Sequence, residues 1–443
     1  MMHARFEMKI LLVVVCLLLA PIVLQAETLA ITGGTVHPIS GDPFVGTVVV
    51  SDGLITAAGP DAQAPADARI IDATGKHVYP GMIDAMSQLG LLEIGAVSAT
   101  DDQAELGLFN PHLQAATAIH PSSELIPVAR ANGITHTLVA PQVDDGIIAG
   151  QAALIQLDGW TVEEMALDPA IAMVVRWPEI ETRRFDFATF SMKETPYNEA
   201  KEKAEEKRKE VRQWLEAAQH YSQAKAAGST RLETDLKLET LAQWVADDKL
   251  VIVRADSKAD IESAIEYSEK IGFRMILAGG RDAWRVKEQL AEKQIPVILG
   301  IIQSLPFEDD EPYDMPARNP VELVEAGVKI AFASGAGGGY GPGGPHNSRT
   351  TPYEAATAVA YGLSEEDAMK ALTLWPAEFL GFGDHLGSIE AGKIANLIVT
   401  DGSPLEITTQ VEHLIINGRE VSTDNMHRRL YEKYRSRPMP ATP

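Results

Sequence analysis

Val78-Tyr79-Pro80-Gly81-Met82-Ile83-Asp84-Ala85-Met86-Ser87-Gln88-Leu89-Gly90 is the stretch around which the chain is organised. It reads as a short buried strand that runs straight into a site-forming loop. With 443 residues the chain exceeds one ordinary small domain and has room for a barrel of roughly 250 to 300 residues plus a second module.

On either side of this stretch the texture is β. From Leu29 to Ile71, short β-branched runs are separated by turn residues, and Val48-Val49-Val50 and Leu54-Ile55-Thr56 flank Ser51-Asp52-Gly53. Asp-Gly between two apolar runs predicts a hairpin, because both central positions of a type I′ turn need positive φ. The same texture returns in Asn396 to Gly402 and in His413 to Gly418. Neither piece is long enough to close a sandwich alone, so residues 27–78 and 387–422 are expected to pair into one composite β domain.

Between them, over residues 79–386, strands alternate with amphipathic helices. Leu250 to Val253, Arg274 to Leu277, Pro296 to Leu299 and Val328 to Phe332 are predicted strands. The helix after the first places Ile261, Ala264, Ile265 and Ser268 on one face, and Asp282 is expected to cap a helix carrying Trp284, Val286 and Leu290. Four such units in succession imply a closed (β/α)8 barrel or an open doubly wound sheet. Residues from about 190 to 245 read as a helical insertion. There a charge-dense segment, Glu199 to Arg212, passes into Val211, Trp214, Leu215, Ala218 and Tyr221 at helical spacing. The apolar stripe is expected to dock on the barrel, with an oligomer contact or a lid as the alternative.

The formal charge of −24 argues against nucleic acid or an anionic membrane surface as a partner. Arg5 and Lys9, an apolar run from Ile10 to Ala20, and Ala26 have the pattern of a secretory signal peptide over residues 1–26, which predicts a periplasmic or secreted protein with no membrane association after cleavage. The only cysteine, Cys16, lies within that leader and leaves the mature chain without a thiol. Residues 423–443 read as a basic C-terminal tail.

The opening stretch resembles the first barrel strand of the amidohydrolase superfamily, in which an apolar strand, Pro-Gly and Ile-Asp-Ala precede His-x-His. Ile126 to Thr135 resembles the helix entering the second strand, and Gly146 to Gln151 resembles a loop of the secreted branch related to imidazolonepropionase and dipeptide-cleaving enzymes. Thr373-Leu374-Trp375-Pro376-Ala377 followed by Gly387-Ser388-Ile389-Glu390-Ala391-Gly392-Lys393 is the most specific match, and Ser364 with Asp367 forms a capping box ahead of it. The resemblance decides for an α/β fold consisting of a TIM-like (β/α)8 barrel and the composite β-sandwich.

The resemblance also implies zinc or another divalent metal at the barrel mouth, where it would activate water for attack on a C–N bond. Its ligands would be His-x-His after the first strand, a lysine or glutamate on the fourth, histidines after the fifth and sixth, and an aspartate after the eighth. In this chain Met86 and Gln88 stand at the histidine pair, Ala170 to Val175 supplies no lysine or carboxylate, and Arg254, Gly279 and Ser334 stand at the remaining places. A thioether, a neutral amide and a guanidinium are poor zinc ligands or none. No bound metal and no other cofactor is therefore expected. A new site drawing on His112, His120 or His346 with Asp84, Asp101 or Asp102 is the competing arrangement.

Pro345-His346-Asn347-Ser348-Arg349 resembles a substrate-loop segment, so Arg254, His346, Asn347 and Arg349 are the candidate substrate-binding residues, the two arginines acting as forks for a carboxylate or other anion. Gly339 to Gly344 matches G-x-G-x-x-G formally, but Pro342 interrupts it and no helix start follows. Ala333-Ser334-Gly335 is not a nucleophile elbow. The function expected is an exported amidohydrolase-fold protein without its metal chemistry, acting as a small-molecule binder or as a non-catalytic subunit in a homodimer or beside an intact relative. The alternatives are a working hydrolase of cyclic amides or dipeptides with a rearranged metal site, and an interaction protein using the Glu199 to Tyr221 helix.

Overall fold

The computed structural model describes residues 28–142, 146–186, 189–228, 233–246, 249–306, 310–336 and 344–438. The leader assigned to residues 1–26 lies outside them, as do residues 339–343 of the glycine-rich run. Among the described residues no helix is long and apolar enough to cross a membrane.

The N-terminal segment forms β1 (Leu29–Val36), β2 (Phe44–Ser51), β3 (Leu54–Gly59), β4 (Arg69–Asp72) and β5 (His77–Pro80). Asp52 and Gly53 take φ of 54° and 79° at the β2–β3 turn, the left-handed pair that the Asp-Gly dipeptide predicts.

The barrel strands are β6 (Met82–Ser87), β7 (Ile134–Val139), β8 (Ile148–Gln156) and β9 (Ala166–Arg176), then β12 (Leu250–Ala255), β13 (Arg274–Gly279), β14 (Val297–Leu299) and β15 (Ile330–Phe332). A hairpin of β10 (Arg183–Asp186) and β11 (Ser191–Glu194) projects between β9 and β12. At the C-terminal end, β16 (Leu397–Thr400), β17 (Val411–Ile416) and β18 (Arg419–Val421) join the N-terminal strands in the sheet order β18-β17-β16-β5-β1-β2-β3, with β4 on β1. The two ends of the chain thus build one β domain, and its sheet extends through Pro80, where β16 pairs with β5.

The second eight-stranded sheet runs β15-β14-β13-β12-β9-β8-β7-β6. It is nearly closed, and the Gly335 N–H donates to the Met86 carbonyl at 2.8 Å where the first and last strands meet. Side chains alternate at period two. Leu250, Ile252, Val174, Ile276 and Ile298 pack inside the barrel, while Val251, Val253, Val175, Leu277 and Val297 pack outward with the helices.

Two local expectations are corrected. The segment Gly146 to Gln151 is not wholly loop, because β8 begins at Ile148 and runs antiparallel to both β7 and β9. The third barrel strand therefore departs from strict β/α alternation. Asp282 caps a different helix from the one expected. Its own side chain makes no capping bond to the 3-10 turn Ala283–Val286, and its Oδ2 instead accepts the Lys258 N–H at 2.9 Å, at the start of the helix Lys258–Ile271.

The inserted helix Tyr197–Ala226 buries Ala200, Ala204, Val211, Leu215, Ala218 and Tyr221. On the same stripe, Arg208 reaches past Trp177 to Asp260 on the barrel helix, with Nη2 to Oδ1 at 2.5 Å. The insertion is thereby docked by an apolar stripe with one buried ion pair in it.

Candidate functional site

The C-terminal ends of the parallel barrel strands collect the residues singled out in the sequence, in two groups. The first lies where β6 meets β15. Asp84 is fully buried; its Oδ1 accepts the Ser334 N–H at 3.0 Å and its Oδ2 accepts the Ser334 hydroxyl at 2.6 Å. Burial pushes the Asp84 carboxyl up to about 6, and the Ser334 bonds pull against that rise. Ser334 is thus a donor to the carboxylate of the first strand.

Met86 and Gln88 are both fully buried here. Met86 packs with the barrel interior. The Gln88 amide lies over Gly335, where an added Cβ would come within 2.7 Å of Oε1 and 2.9 Å of the Ser87 Cα. The amide and the glycine occupy space that side chains would otherwise share.

The second group lies at the exits of β9, β12 and β13. Arg254 is in register with Arg176 across β12 and β9, and the Trp177 N–H donates to the Arg254 carbonyl at 2.9 Å. Burial lowers the pKa of the Arg254 guanidinium, opposed first by the nearby Asp256 carboxylate. Burial raises Asp256 above the usual carboxylate range, and pushes Glu179 up to about 7 with Asp256 adding repulsion. Gly279 adopts φ +89°, and a Cβ there would lie 2.7 Å from Asp256 Oδ1. Asp256 therefore fills the space that a side chain at Gly279 would enter.

Of the remaining candidates, His346, Asn347 and Arg349 lie on the 3-10 turn Pro345–Thr350, whose Ser348 acts on the Asp84 carboxyl of the first group. Arg349 is exposed and its Nη1 is 3.4 Å from His427 Nδ1, while its backbone carbonyl accepts from Asn132 at 2.6 Å. His346 is exposed and Asn347 half-buried on the same 3-10 turn, Pro345–Thr350. His120 pairs with Asp102 at 3.1 Å, both side chains well exposed. His112 faces the charges of Lys237 and Asp235. Asp84 makes its bonds to Ser334 rather than to a histidine. Among the described residues no group of three or more His, Cys, Asp and Glu side chains is arranged to hold a metal ion.

Arg176 and Glu179 were not singled out from the sequence. A signal for Arg176 existed: Met173-Val174-Val175-Arg176 repeats the form of Val251-Ile252-Val253-Arg254, an apolar run ending in arginine at a strand exit.

A model of the amidohydrolase family matches residues 197–421. The chain belongs to the amidohydrolase family. It is 25% identical over 400 residues to the amidohydrolase tasK of Hapsidospora irregularis, covering 85% of this chain and 40% of that protein. It is 32% identical over 117 residues to the imidazolonepropionase of Porphyromonas gingivalis, covering 25% of this chain and 26% of that enzyme. The chain thus matches less than half the length of these relatives. Among solved structures, an amidohydrolase from Thermotoga maritima MSB8 superposes with a TM-score of 0.76 at 29% identity, covering 89% of this chain and 99% of that one. Molinate hydrolase, at 19% identity and a TM-score of 0.52, shares the fold. This amidohydrolase-family barrel and its composite β domain are therefore the fold of the family.

Proposed function

We propose that this amidohydrolase-family chain is an exported protein that works without the family's divalent metal, as a binder of a small molecule at the barrel mouth or as a non-catalytic subunit in a homodimer or beside an intact relative. The observation that carries this reading is the in-register pair Arg176 and Arg254 at the exits of β9 and β12. Two guanidinium groups repel a divalent cation and donate no lone pair to it. The rest of the donor set agrees: a thioether at Met86, an amide at Gln88 packed on Gly335, a Gly279 backed by Asp256, and a Ser334 whose hydroxyl is given to Asp84. These residues do not fit a zinc-type site. Fold alone does not confer the family's activity.

Metal analysis of the purified mature protein tests the reading. Zinc, manganese and iron are expected well below one ion per chain, with no turnover of cyclic amides or dipeptides. A content of about one tightly held ion per chain, together with hydrolysis that a chelator abolishes, overturns it. Export is checked by N-terminal sequencing of the mature chain after fractionation, which is expected to begin after Ala26.

A further inference from the structure

We infer that Arg176 and Arg254 together form an oxyanion-binding pair inside the barrel mouth, taking the carboxylate or phosphate group of a small ligand; this rests on the metal-free reading of the same mouth.

The backbone sets the pair. Arg176 and Arg254 are register partners on adjacent parallel strands, which lie about 4.8 Å apart. Each continues the inward-facing row of its strand. Arg254 follows Leu250 and Ile252, and Arg176 follows Ala172 and Val174, all four in the barrel-interior cluster. On the next strand the register neighbour of Arg254 is Ala278, also an interior residue, whose side chain ends at Cβ. Two long cationic side chains are thus brought to one side of the mouth beside a residue that leaves space.

Charge points the same way. Like charges at facing strand positions are unfavourable unless something between them is negative. The carboxylates that act on the pair are Glu179 and Asp256. Asp260, the next acidic group, is committed to Arg208 and to the Ser257 hydroxyl, and Asp256 also accepts the Arg281 N–H at 3.3 Å. Glu179 titrates near neutrality, so it offsets only part of a positive charge. Both arginines take part in interactions within the chain, and with five N–H donors each a guanidinium can be held by its neighbours and still present an edge to a ligand. A planar or tetrahedral oxyanion matches such forks in a way that a neutral molecule does not.

Calorimetric titration of the full mature protein at low ionic strength, with inorganic phosphate and separately with acetate, tests the pair. Saturable binding of at least one anion is expected, and the tighter of the two assigns the ligand group as tetrahedral or planar. Arg176→Gln and Arg254→Gln are each expected to weaken it about tenfold or more, whereas Arg419→Ala, at an exposed position on β18 of the β domain, leaves it unchanged. If a glutamine variant does not fold, Arg254→Lys, which keeps the charge and loses the fork, is expected to weaken binding in its place. No saturable binding of either anion by the wild type overturns the pair, as does binding that survives in the arginine variants; the two arginines then belong to a closed ion network only. Loss of binding in Arg419→Ala also overturns it. Metal content measured on the same samples separates the two readings: metal-free protein without anion binding sinks the pair alone, and stoichiometric metal sinks the reading beneath it.

Discussion

The two halves of the barrel mouth solve the same problem in opposite ways. On the β6–β15 side, a buried carboxylate is bound by the hydroxyl and the N–H of one serine, and a neutral amide rests on a glycine. On the β9–β12–β13 side, the half-buried groups are charged: Arg176, Arg254, Glu179 and Asp256, with Arg208 and the buried Asp260 behind them. On the first side the carboxylate is held by short hydrogen bonds, while the Gln88 Oε1 beside it is buried with no hydrogen-bond partner among the described residues. The second gathers charge of both signs partly out of water, which is costly where an ion lacks a partner. The gathering of charges at adjacent strand exits makes the second side the one where a role in binding an anion is sought.

The largest effect is expected from breaking the charged side. Arg208→Ala strips Asp260, whose side chain is only 2% exposed, of its guanidinium partner. The uncompensated carboxylate should cost about 3–5 kcal/mol of stability, measured by urea denaturation, with Asp260→Asn in the same background restoring part of it. A loss no larger than that of a surface ion pair would show that the two sides do not differ as described.

Next comes pH. Asp84 titrates at about 6 in the folded chain against 3.8 for a free carboxyl, so the folded state holds the proton more tightly. The resulting stabilisation is fully present below pH 3.8 and is lost as pH rises through 6, about 3 kcal/mol in all. Glu179, at about 7 against 4.5, has the same sign in a higher window. Comparing wild type with Asp84→Asn isolates the lower window, and with Glu179→Gln the upper one. Identical pH profiles for wild type and Asp84→Asn would remove the buried carboxylate from the account.

The smallest effect concerns space. Gly335→Ala puts a Cβ against the Gln88 amide and the Ser87 Cα, an overpacking expected to cost about 1–3 kcal/mol. Truncating the amide in Gln88→Ala should relieve the part that comes from the side chain, and a double-mutant cycle by thermal unfolding reads the coupling.

Much of this was legible in residues. The apolar runs gave the strands from Leu250 to Phe332, the spacing of Ile261, Ala264 and Ile265 gave a buried helical face, and Ser364 with Asp367 gave a cap in which the serine hydroxyl accepts the Asp367 N–H at 3.0 Å. These are local patterns, fixed by backbone period and short-range hydrogen bonding. The antiparallel course of β8 was not legible, because an apolar run buried on both faces carries no sign of direction. Nor was the partner of Arg254. Arg349 is a plausible fork in sequence, but the 3-10 turn that carries it directs its guanidinium to His427.

By itself the sequence determined the family frame and singled out Met86, Gln88, Arg254, Gly279 and Ser334 at strand ends. Only the tertiary structure decided which of them meet. Parallel pairing sets Arg176 beside Arg254 across 78 positions of chain, and the near-closure of the barrel brings Asp84 to Ser334 across 250. Both contacts depend on strand register and sheet closure, which no local period encodes.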